Sequence, residues 1–311
     1  MNVQEMNKAL DLHAKWLAGD DGGECANLLG AYLRGANLRE VNLRWANLLR
    51  ANLREANLRG ANLREANLRR ANLLRANLRE VELRGSNLRG AELRGADLNR
   101  ADLREVDLRW ANLRWANLRE ANLRGANLRG ARLCDADLRG ADLRGAELRG
   151  ANLRGANLNR AELCRVDLNG ADLRGANLNG ADLNGANLRG ANLNGADLNG
   201  ASLPDFMICP ESGAFEAWKK CSNSVVLKIL VPADAKRTNS LIGRKCRASK
   251  ITVLAAYKDS KEVSSLFENW RGGHFYEIGH TYKCEDFDDD IRVECTRGIH
   301  FFMTRKEAEE W

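Results

Sequence analysis

Leucine occupies every fifth position of this chain from Leu28 to Leu203, 36 times without interruption. Two positions before each leucine lies a small residue, which is alanine in 31 units, valine in four and serine in one. A spacing of five matches neither the period of an α-helix nor a heptad. The pattern therefore predicts a repeat architecture for more than half of the chain.

Each five-residue unit predicts a very short strand followed by a corner. In the unit Ala36–Glu40, the alanine and the leucine are two positions apart and point the same way in extended backbone. The last two residues must turn the chain. Four such sides close a square coil of 20 residues, and successive coils stack at a spacing of about 4.8 Å. The inside is then filled by leucines and small residues, so recognition of a partner is left to the outward residues.

The A-[N/D]-L-x-x tandem over residues 26–203 resembles the pentapeptide repeat proteins. The resemblance implies an all-β solenoid, a right-handed quadrilateral β-helix of about nine coils. A leucine-rich repeat horseshoe is the competing solenoid, but its units are 20–29 residues long. The best-known pentapeptide repeat proteins protect DNA gyrase by resembling DNA in shape and charge. A basic rod disfavours such DNA mimicry, because a DNA mimic needs an acidic surface.

Three regions follow along the chain. Residues 1–25 are expected to form an N-terminal capping helix and loop, because residues 2–18 read as an amphipathic helix. Residues 26–203 are expected to form the β-helix. Residues 204–311 are expected to form an α+β C-terminal domain, which contains lysines and most of the phenylalanine and tyrosine residues. A cap is needed at each end of the solenoid because open strand edges would pair with other chains. The second cap is predicted from Pro204, Phe206, Met207 and Ile208.

In the C-terminal domain, Gly213–Cys221 predicts a short helix, Val225–Val231 and Ile251–Tyr257 predict strands, and a capping box at Thr304–Glu307 predicts a final helix. The strings at 231–237, 243–249 and 295–302 resemble an uncharacterised domain that often follows pentapeptide repeats in phage and bacterial proteins. That family brings no known activity.

Composition places the protein among soluble chains with free thiols. The net charge is +7, and no segment has the features of a signal peptide or a membrane span, so no membrane partner is expected. The eight cysteines include no C-x-x-C pair, which gives no support to a zinc ribbon or a disulfide framework. We therefore expect a cytoplasmic protein, in the host cell cytoplasm if it is phage-encoded.

The outward residues of the repeats predict a first candidate binding surface. Residues 26–115 hold 18 arginines against 10 carboxylates, and residues 20 apart should stack into arginine ladders. Gly90 and Gly95 should leave room for two corner tryptophans to lie over bare backbone, and tryptophan and arginine are enriched at binding hot spots. A solvated surface screened by neighbouring glutamates is the alternative. The predicted partner patch comprises Trp45, Arg109, Trp110, Arg114 and Trp115.

A basic segment over residues 236–250 is the second candidate surface. It lies between two predicted strands and is therefore expected to be exposed. It could contact nucleic acid or another polyanion, form a solvated loop, or pair with the acidic run at residues 285–290. Its candidate polyanion contacts are Lys236, Arg237, Arg244, Lys245, Arg247 and Lys250.

Groups capable of catalysis are few. A cysteine nucleophile would need a histidine within hydrogen-bond reach, and zinc would need a ligand spacing that is not found here. The run Gly298–Trp311 loosely resembles a segment of ADP-ribosyltransferase folds, without a paired-glutamate motif. We therefore predict no catalytic, cofactor or metal residues. The side chains that could in principle act as nucleophile, base or zinc ligand are Cys246, Cys284, Cys295, His274, His280 and His300.

The leading hypothesis is a non-enzymatic protein-interaction or scaffold protein with a rigid rod and a C-terminal recognition domain. The first alternative is binding of nucleic acid, or of another polyanion such as an acidic protein, through the arginine ladders and the 236–250 segment. The second alternative is enzyme activity in the C-terminal domain, of the ADP-ribosyltransferase-like or Cys/His kind.

Overall fold

The computed structural model describes residues 3–204, 208–259, 261–264, 267–268, 275–293 and 295–311. The chain divides into two compact units, Met1–Pro204 and Asp205–Trp311. Among the described residues, no helix combines the length and the apolar character needed to span a membrane.

The repeats of the first unit wind into a β-helix solenoid, as predicted. The middle residue of each strand bridges in parallel to the residue 20 positions on, from Asn27↔Asn47 to Asp182↔Ser202. Every repeat leucine from Leu28 to Leu193 is at most 3% exposed. The leucines and small residues therefore fill the interior, and the residues between them point outward.

The corners hold a strained backbone. The second residue after each leucine from Leu28 to Leu198 has a positive φ, and 16 of these residues are not glycine. Trp110, for example, has a φ of 61°, a left-handed conformation that costs an L-residue roughly 1–2 kcal/mol. Its amide donates to the carbonyl of Arg129 on the next coil at 3.1 Å. Inter-coil hydrogen bonds thus hold each corner in place.

The helix α1, Val3–Ala18, lies against the first coil. The amide of Ala26 donates to Nδ1 of the buried His13 at 3.1 Å. The ring of Trp16 packs edge-on against that of Trp45, with 5.8 Å between centroids. Burial lowers the pKa of His13, so the neutral imidazole that accepts this hydrogen bond is favoured.

The second unit is rich in short strands. The elements are β1 Phe215–Lys220, β2 Val226–Val231, β3 Arg237–Asn239, β4 Cys246–Ala248, β5 Lys250–Lys258, β6 Lys261–Glu262, β7 Phe267–Glu268, β8 Phe275–Tyr276, β9 Thr281–Lys283, β10 Ile299–Phe301 and α2 Arg305–Glu310. A five-stranded antiparallel sheet has the order β1-β2-β5-β6, with β9 also paired to β5. A three-stranded sheet has the order β10-β4-β3, and β7 pairs with β8.

One expectation for this unit is wrong. The segment Gly213–Cys221, predicted to be a helix, forms β1, in which alternate residues face the core. Of the residues predicted to cover the last coil, Phe206 and Met207 lie outside the described residues, and Ile208 packs on the core of the second unit. The capping box at Thr304 is confirmed.

Candidate functional site

The corners of the β-helix form four columns, because residues 20 apart stack on one another. Corner I holds residues 29/30, 49/50, 69/70, 89/90 and 109/110. Corner II holds residues 34/35, 54/55, 74/75, 94/95 and 114/115. Corners III and IV begin at residues 39/40 and 44/45 and repeat in the same way. Charged side chains of residues 26–115 that share a corner therefore lie above one another on the rod.

Every arginine of residues 26–115 on corners III and IV is neutralised. Each lies within 2.6–4.0 Å of a carboxylate, commonly one coil further along the rod. The pairs are Arg39 with Glu40, Arg44 with Glu65, Arg59 with Glu80, Arg64 with Glu82, Arg79 with Asp97, Arg84 with Glu105, Arg100 with Glu120 and Arg104 with Asp102.

Corners I and II differ from the other two. Arg34 and Arg54 share Glu55, and two further arginines pair with carboxylates on the same coil. The remaining arginines have no described carboxylate within 4.0 Å. We call this set, together with Trp110 and Trp115, the basic face. Its arginines are Arg50, Arg69, Arg70, Arg75, Arg89 and Arg114.

The basic face also carries the two most exposed tryptophans of the rod. Trp110 is 63% exposed and Trp115 is 55% exposed. The guanidinium of Arg114 lies 4.5 Å from the ring centroid of Trp115, a cation–π distance. The Nε atom of Arg114 is buried without a hydrogen-bond partner. A cation and two indoles are thus presented together at neighbouring corners.

Trp110 lies over the coil on its C-terminal side, and the expectation that it covers Gly90 is wrong. A Cβ built on Gly130 would lie 2.3 Å from Cζ3 of Trp110, so the indole occupies the space that a side chain at 130 would need. The corner residues before Gly90 and Gly95, Arg70 and Arg75, lean the same way. Where a non-glycine corner residue faces a glycine one coil further on, its side chain leans towards that following coil.

The predicted patch is only partly assembled. Arg109 lies beside Trp110, but it pairs with Asp107 at 2.7–2.9 Å on both carboxylate oxygens, and this hydrogen bonding lowers the pKa of Asp107. Trp45 belongs elsewhere: it sits on corner IV of the first coil, and its Nε1 donates to Glu65 at 2.9 Å.

Other exposed apolar side chains of the rod lie on the same side as the basic face. Leu29 on corner I is 55% exposed, and Tyr32, between corners I and II, is 61% exposed. Leu49 and Leu74, on corners I and II, are half-buried. The side around corners I and II therefore combines unpaired arginines with apolar surface.

The basic segment of the second unit is not the exposed loop expected. Residues 236–250 supply β3, β4 and the start of β5. Arg237 donates to three backbone carbonyls at 2.6–2.8 Å. Arg247, 1% exposed, donates to the carbonyls of Asp290 and Val293. Both guanidinium groups donate hydrogen bonds to loop carbonyls that are not paired with a neighbouring strand. This explains why the two arginine side chains point inward.

Little of this segment remains for a polyanion. Lys245 is 2% exposed, and Lys236 is exposed with no ion pair to a described residue. Two others are ion-paired: Arg244 with Glu307 and Lys250 with Asp234.

The described candidate cysteines and histidines do not form a hydrogen-bonded pair. No thiol of the described residues is hydrogen-bonded to a histidine. Cys246 is fully buried, and a hydrogen bond with Cys209 and burial raise its pKa. His300 Nε2 lies 2.8 Å from the carbonyl of Thr296. Of the others, Cys284 is half-buried, Cys295 and His280 are exposed, and His274 lies outside the described residues.

Metal binding finds no support in the part of the chain that is described, where no group of three or more His, Cys, Asp or Glu side chains could hold an ion.

Reasoning from the sequence missed five arginines of the basic face, Arg50, Arg69, Arg70, Arg75 and Arg89. Sorting the carboxylates by their position within each 20-residue coil would have found them. Only four of the ten carboxylates in residues 26–115 lie on or beside corners I and II: Glu55, Glu92, Asp97 and Asp107.

Two family models match the chain. Pentapeptide repeats match as eight copies between residues 25 and 203. A family of unknown function, DUF5758, matches residues 205–308. A search of curated proteins found no match.

Several solved structures are similar to the chain. HetL, a pentapeptide repeat protein involved in heterocyst differentiation regulation in the cyanobacterium Nostoc, is 38% identical, with 65% of this chain and 95% of that chain covered and a TM-score of 0.36. The Nostoc pentapeptide repeat protein alr5209 is 42% identical over 31% of this chain and 76% of its own, with a TM-score of 0.27. QnrB1, a plasmid-mediated fluoroquinolone resistance protein, is 22% identical over 48% of this chain and 80% of its own, with a TM-score of 0.25.

Proposed function

The chain belongs to the pentapeptide repeat family, and from this premise we propose that it is a non-enzymatic interaction protein whose β-helix presents the basic face to an acidic protein. The supporting observation is the asymmetry of the ion pairs. Every arginine of residues 26–115 on corners III and IV has a carboxylate partner, whereas six on corners I and II have none among the residues that the structure describes. A partner with carboxylates can complete the pairs that the rod leaves open.

The composition of the face favours a protein partner. Arginine and aromatic residues are enriched at the centres of protein interfaces, and lysine is depleted there. Residues 26–203 contain no lysine. Trp110, Trp115, Leu29 and Tyr32 add apolar area on the same side. A surface kept only for solubility would not need tryptophans at strained corners.

The remaining parts have supporting roles in this proposal. About nine right-handed coils give a rigid rod, since each coil is hydrogen-bonded to the next. The contacts of His13 and Trp16 support a capping role for α1. The eight free cysteines suit action in the cytoplasm, where thiols stay reduced.

Two matched triple variants test the proposal. Arg50, Arg70 and Arg75 are changed to Gln in the face variant, and Arg59, Arg64 and Arg84 are changed to Gln in the control, so both lose the same charge. A photo-crosslinking residue at position 72, between corners I and II, captures the bound protein from nuclease-treated extract. We expect capture by the wild type and the control, and its loss in the face variant. Equal capture by both variants would refute the basic face as the binding surface.

A single-stranded nucleic acid is the second candidate partner. It is favoured by the two exposed indoles beside unpaired arginines, because bases stack on aromatic rings while cations hold the phosphates. Binding would then fall with a slope near −0.7 per phosphate contact on a log–log plot against salt. The face variant should lose about two units of that slope. Absence of oligonucleotide binding at low salt removes this candidate and leaves the protein partner.

A further inference from the structure

We propose that the second unit binds a phosphate dianion, free or as a small monoester, in a cavity beside β1 and β10 into which two buried lysines project. The cavity has a volume of about 180 Å³. A single water needs only about 10–15 Å³, so a tetrahedral oxyanion fits. The lining residues that matter are Lys219, Lys245, Tyr276, Thr296, His300 and Trp311.

Lys219 is the first buried cation. It occupies an inward position of β1 between Ala217 and Cys221, and it is only 5% exposed. Its Nζ donates to the carbonyl of His300 at 3.4 Å, and it lies 5.3 Å from the ring centroid of Tyr276. An ammonium has three donors, so this single long hydrogen bond leaves donor capacity facing the cavity.

Lys245 is the second buried cation, directly before β4. It is 2% exposed, and its Nζ lies 3.2 Å from Sγ of Cys295 and 3.4 Å above the ring centroid of Trp311. Neither contact is a full counter-charge. No described carboxylate lies within 4.0 Å of either lysine. Two cations therefore share one cavity without an acidic partner.

The rest of the lining is also suited to an anion. His300 lies on β10, and its Nε2 is held by the carbonyl of Thr296 at 2.8 Å. Arg297 lines the cavity too, and it pairs at 3.5 Å with Asp286, which is not a lining residue. Thus no acidic side chain is among the described residues that line the cavity.

The energetics favour a ligand of opposite charge. Removing an ammonium from water without a counter-charge is unfavourable. Burial, and to a smaller extent the charge of Lys245, lower the pKa of Lys219. A dianion between the two lysines offsets both effects, whereas a single carboxylate matches only one of the charges. The binding of such a ligand to the folded state must stabilise it.

Hydrogen–deuterium exchange of the full chain tests the proposal. Peptides covering residues 215–221 and 296–302 are followed in inorganic phosphate, methyl phosphate or acetate, at one ionic strength set with sodium chloride. The variants are Lys219→Met and Lys245→Met. The control is Lys228→Met, a lysine of β2 outside the cavity. Unfolding midpoints in urea without phosphate are measured for all four proteins.

We expect inorganic phosphate to slow exchange at both segments at least tenfold in the wild type and in Lys228→Met, and to leave Lys219→Met and Lys245→Met unchanged. Without phosphate, Lys219→Met should unfold at higher urea than the wild type, because it removes an uncompensated buried charge. Stronger protection by methyl phosphate would assign the monoester, and weaker protection the free ion. Equal protection in Lys219→Met, equal protection by acetate, or no protection in the wild type would overturn the proposal.

Discussion

A residue other than glycine at a strained corner lowers the stability of the rod unless its side chain makes a stabilising contact. Such a residue without an ion pair is therefore a candidate for binding. Arg70 and Arg75 each hold a φ of 55°, although glycine fills the same site in many repeats. Neither has a described carboxylate within 4.0 Å, so no ion pair is lost on substitution. We expect Arg70→Gly and Arg75→Gly each to stabilise the β-helix while weakening the binding of its partner.

The magnitude follows from opposing terms. Relief of the left-handed conformation contributes roughly 1–2 kcal/mol per residue. The greater freedom of glycine in the unfolded chain costs about 0.5–1 kcal/mol. The Cγ atom of Arg70 also packs over Gly90, and a few lost atom contacts cost about 0.1–0.2 kcal/mol each. The net gain is about 0.5 kcal/mol per site, and about 1 kcal/mol for the double variant if the sites add.

Urea unfolding of the full chain, followed by far-UV circular dichroism, measures this gain as a higher midpoint. Glu80→Gly on corner III is the control. It relieves a φ of 57° but loses the ion pair with Arg59, which is worth about 0–1 kcal/mol, so its midpoint should barely move. A lower midpoint for Arg70→Gly would refute the idea that the arginine is retained at a cost to stability.

Two further predictions concern the interior and pH. Leu103→Ala should destabilise the rod by about 3–5 kcal/mol, because Leu103 is 1% exposed and neighbouring coils cannot close the cavity that it leaves. Leu29→Ala, at a site 55% exposed, should cost under about 0.5 kcal/mol. Equal urea midpoints for the two variants would contradict the packing of the repeat leucines in the interior. Burial, with the nearby charges of Lys245, Lys219 and Arg247, lowers the pKa of His300 to about 4. The neutral imidazole therefore stabilises the second unit fully above its ordinary pKa of about 6.5, and this contribution, at most about 3 kcal/mol, is lost as the pH falls towards 4. Exchange of β10 amides, corrected for intrinsic rates, should show this loss in the wild type and not in His300→Gln; identical pH profiles would contradict it.

The rod could be predicted from the sequence because one steric rule repeats in every unit. Each leucine needs the same central space and each alanine the same close approach, so the period alone sets the coil. The ion pairs could not be predicted in the same way. Arg34 reaches Glu55, 21 residues on, whereas Arg64 reaches Glu82, 18 residues on. Which carboxylate is reached depends on how the side chains lean at each corner.

The second unit was harder to predict because its chemistry violates the simple pattern. Lys219 lies at an inward position of β1, where a lysine is not expected. The alternation of inward and outward residues in β1 is therefore not visible in the sequence, and the segment resembles a helix. Arg247 and Lys245 looked like solvent-facing charges, yet both are buried. A buried cation is recognised only when the strands around it are known.

The pairing of each residue with the one 20 positions on limits how this protein can change length during evolution. A duplicated repeat of five residues preserves the packing and the hydrogen bonds, yet it rotates every later residue by a quarter turn about the axis. Such an insertion at residue 60 would move Trp110 from the corner of Arg50 to that of Arg54, and Trp115 to corner III, away from both arginines. Insertions of a whole revolution leave each side intact. Among homologues that use the same side, insertions between the residues of that side should therefore come in multiples of 20 residues.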